Sequence, residues 1–257
     1  TAPVLLVGLC WTSRHLGLEG LELLIFVWAW WHGLAQVYGF IRIYDAKVGG
    51  TSRRRASIDL AMCVVWFSVA VLFVPDKLAQ ILSGFYASGG PFLPARALLL
   101  ARFTWGVVAT AVTLAFALTT WADRRRSGTF SLPKLALMGS SFTFWWVATV
   151  LLRPTILGVA AFELFHDVQY LAIVWVFNRA RVDGGKPVGA FTRFLFRPQL
   201  SLVVLYLVLV LAYGWLGTVD FARNKEDVRL TLYGLVAASA LLHYYFDGFI
   251  WKIREPT

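Results

Sequence analysis

The stretch ALLLARFTWGVVATAVTLAFALTTWA, residues 97–122, holds one ionisable side chain, Arg102, in an otherwise apolar run. A helix needs about 20 residues to cross the hydrocarbon of a bilayer, so this run is long enough to span one. Similar runs occur at Leu21 to Ile43 and Leu200 to Leu216. Across the 257 residues, 59% are hydrophobic and 15% charged, whereas soluble domains carry about a quarter charged. A water-soluble core cannot hide that much apolar surface. The runs lack the alternating polar series of an outer-membrane barrel, which leaves an all-α, polytopic transmembrane helix bundle.

Crossings are expected at about 21–43, 58–74, 97–121, 134–152, 155–177, 199–217 and 229–250. The apolar run Ala2 to Trp11 is too short to span and reads as the end of a truncated first crossing, giving about eight in all. Most of the 24 Lys and Arg residues fall in alternate connections. These include Arg42, Lys47, Arg53 to Arg55, Arg124 to Arg126, Lys134, Arg179, Arg181, Lys252 and Arg254. The positive-inside rule puts those connections and the C-terminus in the cytoplasm, and the expected location is a bacterial inner membrane. The net charge of +10 is divided among short loops, so no nucleic-acid partner is expected.

The loops are short and no repeat or linker appears, so residues 1–257 read as one transmembrane domain. Pro75 to Pro94 has the spacing of a short interfacial helix in its first half, or is a plain re-entrant connection. Gly184 to Pro198 suits a surface helix at anionic headgroups, making membrane lipids one expected partner. Cys10 and Cys63 lie in apolar runs and read as small hydrophobes rather than a disulfide. Of the 12 Trp residues, Trp11, Trp121, Trp215 and Trp251 fit interfacial belts. Trp28, Trp30, Trp31, Trp66, Trp105, Trp145 and Trp146 lie deeper, where they fill the bundle or line an apolar pocket.

Ionisable groups within the hydrocarbon are costly and mark functional sites. His32, His166 and His243 each lie roughly 11 to 14 residues into a crossing of the same direction, a shared depth of roughly 16 to 21 Å. Residues three and four apart share a helix face. His243 and Asp247 are so spaced, as are His32 and Gln36, and as are Glu163, His166, Asp167 and Tyr170, with Gln169 beside them. Three imidazoles and a carboxylate are a plausible ligand set for zinc or iron. His32, His166, His243 and Asp247 are therefore the expected metal ligands, Glu163, Asp167 and Tyr170 the expected catalytic groups, and Gln36 and Gln169 cofactor contacts.

The segments Phe165-His166-Asp167-Val168-Gln169-Tyr170-Leu171 and His243-Tyr244-Tyr245-Phe246-Asp247-Gly248-Phe249-Ile250-Trp251-Lys252 resemble paired motifs in a group of uncharacterised bacterial multi-spanning proteins. That resemblance covers two helices and implies that the two segments share one site, with no activity attached. The three-histidine-plus-Asp set is also similar to intramembrane zinc amidohydrolases related to alkaline ceramidases, where the final helix usually supplies two histidines and Asp247 here takes the second place. Trp31-His32-Gly33 resembles a string in membrane-bound O-acyltransferases.

The leading expectation is an intramembrane metal-dependent enzyme that oxidises or hydrolyses a lipid-like or isoprenoid small molecule. One alternative is a non-enzymatic subunit that holds haem or a chlorin pigment among partner membrane subunits. A third is a proton-coupled transporter using Glu163, Asp167 and Asp247.

Overall fold

In a computed structural model of the chain, the described residues are 2–16, 20–128, 130–152, 155–185 and 187–196, with isolated positions 204, 208, 238, 241 and 242. Every regular element among them is a helix: α1 Ala2–His15, α2 Gly20–Ala46, α3 Arg53–Leu72, α4 Pro75–Ala87, α5 Ala95–Ser127, α6 Leu132–Leu151, α7 Thr155–Asp183 and α8 Ala190–Leu195. Among the described residues, four stretches are long and apolar enough to cross a membrane, namely Leu23–Ala46, Arg53–Leu72, Ala95–Arg126 and Leu132–Leu151. The expected crossings at 199–217 and 229–250 lie outside the described residues.

The chain divides into two compact units, Thr1–Gly17 with Leu164–Ala240, and Leu18–Glu163 with Leu241–Thr257. In the second, α3 packs against α2, α5 and α6, α2 also meets α6, and α4 rests on α2 and α3. The sequence ends these helices sharply. Ser52 accepts a bond from the Arg55 amide at the start of α3, and Ser131 does the same for the Lys134 amide at the start of α6, satisfying donors that a helix start leaves open. Pro75 opens α4, where its missing N–H costs nothing. Gly128, with φ 66°, stops α5 in the left-handed conformation that glycine adopts freely.

The helices outrun the expected crossings. A span estimate counts only hydrocarbon, whereas the helix continues through the headgroup region. Thus α3 begins at Arg53 rather than near 58, and α5 runs on to Ser127 through Arg124, Arg125 and Arg126. Arg125 sits over the Trp121 ring at 4.6 Å and Arg124 over Phe130 at 4.8 Å, which suits cations and aromatics at an interface. The α5 side chains Leu99, Leu100, Phe103, Leu114 and Leu118 are all exposed. Such a row is stable against lipid and not against water.

The core of this unit is aromatic. Phe67 of α3 and Trp145 of α6 stack at 5.2 Å, and Phe162 of α7 meets both edge-on at 5.3 and 5.1 Å. The Trp145 indole N–H donates to the Phe67 carbonyl at 2.9 Å. A Cβ on Gly33 would lie 2.8 Å from the Phe162 ring, so glycine is what lets α2 approach that ring. Of the deeper tryptophans, Trp145 is core, while Trp28, Trp31 and Trp146 are exposed. The Pro75 segment does form a helix, and Lys77 on it is buried, donating to the Leu152 carbonyl just past the end of α6. Burial pushes the Lys77 ammonium below its usual range, with Asp76 opposing.

In the other unit, α1 ends with the His15 ring nitrogen 2.9 Å from the Trp11 carbonyl, and α8 sets Phe196 against Trp175 at 5.2 Å. Cys10 and Cys63 are buried and form no disulfide among the described residues, as their apolar surroundings suggested.

Candidate functional site

The expected site residues fall on two described helices. On α2, His32 and Gln36 are both buried, each 7% exposed, one turn apart on the face beside Gly33. On α7, His166 is 1% exposed, with Asp167, Gln169 and Tyr170 half-buried. Glu163 is three residues before His166 on the same helix. His243 and Asp247 lie outside the described residues. Among the described residues, no group of three or more His, Cys, Asp or Glu stands close enough to hold a metal ion.

Gln36 is the most informative of these. Among the described residues, neither its amide nitrogen nor its amide oxygen has a hydrogen-bond partner. A buried amide without a partner costs about 1–3 kcal/mol, more than most native positions carry.

A second polar centre was not legible as a site. It lies where the end of α2 meets the starts of α3 and α6 and the end of α5. Arg42 Nη1 is 2.6 Å from Asp45 and 3.0 Å from Asp59, while its Nη2 donates to the Gly50 carbonyl at 2.7 Å. Lys134 Nζ reaches both carboxylate oxygens of Asp59 at 2.8 Å and Asp45 at 3.4 Å. Arg55 pairs with Asp123 through Nε at 3.0 Å and through Nη2, and with Asp45 at 3.3 Å. Three cations thus face three carboxylates, with Asp45, Asp59 and Lys134 buried.

The helix dipoles oppose parts of this arrangement. Asp45 stands in the last turn of α2, and Arg55 and Lys134 in the first turns of α3 and α6, where the partial charge of each helix end has the same sign as the side chain. Each ion therefore depends on partners from other helices. Gly50 completes the centre, since a Cβ there would collide with the Arg55 guanidinium and the Asp45 carboxylate. Gly50→Ala is expected to cost about 1–3 kcal/mol, the usual price of overpacking, read as a lower thermal midpoint in detergent.

Comparison with known protein families, with curated proteins and with solved structures returned no match to this chain.

Proposed function

We propose that the chain is an intramembrane metal-dependent enzyme acting on a lipid-like or isoprenoid substrate. In this reading His32, His166, His243 and Asp247 hold a transition metal, zinc or iron, and Glu163 with Asp167 and Tyr170 handles protons. The observation that supports it is the α2 face: a buried histidine followed one turn later by a buried glutamine whose amide has no partner among the described residues. An amide in that state is suited to a ligand that brings a polar group into an apolar surrounding. Zinc would supply a water of lowered pKa for cleaving an ester or amide, and iron a centre for oxidation. Gln36 and Gln169 then orient ligand nitrogens or the substrate head. The basic connections and the C-terminus face the cytoplasm in this reading, following the positive-inside rule, and the membrane is a bacterial inner membrane.

Metal mass spectrometry of the purified protein tests this directly. Stoichiometric zinc or iron is expected, lost in His32→Ala, His166→Ala and His243→Ala. Metal-free wild-type protein ends the proposal, and a haem or chlorin absorption band without activity replaces it by a pigment-binding subunit. Gln36→Leu separates ligand-binding from structural roles. It removes an unsatisfied amide, so folding stability is expected to hold or rise, while metal affinity falls about 10–100-fold, as loss of an outer-shell partner does.

A further inference from the structure

At the opposite end of α5 from Arg124, Arg125 and Arg126, a shallow, open groove of about 590 Å³ runs along α5 from Arg102 to Leu114, with Phe73 at the end of α3 beside it. Its walls are apolar, with Phe73, Phe103, Val107 and Leu114 among them, and Phe103, Val107 and Leu114 are exposed. Arg102 is the one charged residue in its lining. Its Nε donates to the Leu72 carbonyl at 2.7 Å, which fixes the guanidinium at the open end of α3, where the helix dipole favours a cation. Among the described residues its Nη1 and Nη2 donate to no protein atom.

An arginine roughly 10 Å into a spanning helix is expensive in lipid unless it reaches an anion or water. Here the backbone bond holds Nε to the protein, so the remaining edge of the fork needs its partner at the groove itself. A phosphodiester fits that edge, because two parallel N–H groups match phosphate geometry. Below it, Phe103 to Leu114 offer roughly 16 Å of apolar helix, close to the half-thickness of a bilayer's hydrocarbon of roughly 30 Å. We propose that this groove binds one anionic glycerophospholipid, its phosphate on Arg102 and an acyl chain along α5.

The site has a second handle. A Cβ on Gly106 would lie 3.6 Å from the Phe73 ring, an ordinary contact, so Gly106→Leu fills the groove without disturbing the backbone and leaves Arg102 in place. Native mass spectrometry of protein extracted in mild detergent and supplied with phosphatidylglycerol or phosphatidylcholine reads the occupancy. Wild type is expected to retain one phosphatidylglycerol per chain in preference to phosphatidylcholine. Retention is expected to fall about tenfold in both Arg102→Ala and Gly106→Leu, and to recover partly in Arg102→Lys. Equal retention of both lipids by wild type, or undiminished phosphatidylglycerol in Gly106→Leu, overturns the proposal. So does a lipid-free dimer that Gly106→Leu separates, which would make the groove a protein contact.

Discussion

Asp59→Ala is expected to destabilise the protein by about 3–5 kcal/mol, because it strands cations rather than merely removing a contact. Asp59 is 1% exposed and takes the closer contact of Lys134 while also pairing with Arg42. Once it is gone, the carboxylate left to Lys134 among the described residues is Asp45 at 3.4 Å, beside the Phe116 ring at 5.6 Å, while Lys134 stands in the first turn of α6 against that helix's own dipole. Reversible unfolding in mixed micelles, followed by tryptophan fluorescence, measures the loss. The double variant Asp59→Ala with Lys134→Met is expected to recover a large part of it, since the stranded charge leaves with its partner. A single variant within 1 kcal/mol of wild type would mean that water already solvates this centre.

How far this centre could be read from the sequence follows from where its residues stand. The all-helical class was evident from runs such as 97–122, since only a helix satisfies its backbone across hydrocarbon without neighbours. Asp59 and Lys134 were harder, because they sit at the edges of their expected crossings, where a charge ordinarily meets water. Starting α3 at Arg53 turns Asp59 from a boundary residue into one in its second turn. Arg42, Arg55 and Lys134 were read as members of basic loops, as a charge count must read them. Asp45 is one turn from Arg42 on α2, but the partners Asp59 of Arg42, Asp123 of Arg55 and Asp59 of Lys134 are 17, 68 and 75 residues away on other helices, and spacing along one helix cannot show that. His32 with Gln36, by contrast, was legible because one helix carries both.

Trp145→Ala is expected to cost about 3–5 kcal/mol, the range for large aromatic truncations in packed cores. The reason differs from that in a soluble protein. Between membrane helices, lipid is as apolar as the core, so little is gained from escaping water and the stabilisation comes from close packing and hydrogen bonds. Trp145 supplies both, stacking on Phe67, meeting Phe162 edge-on and donating to the Phe67 carbonyl. Trp145→Phe keeps most of the ring contacts and loses the N–H, so it is expected to cost about 1 kcal/mol. The ratio of the two losses, measured by the same micellar unfolding, weighs packing against the hydrogen bond. The truncation also reaches the α2 face. Phe162 is the ring against which Gly33 closes, and a cavity at Trp145 frees it to move away from the residue beside His32. If the metal-site reading holds, Trp145→Ala therefore weakens metal retention as well as stability, whereas Trp145→Phe, which leaves Phe162 braced, does not.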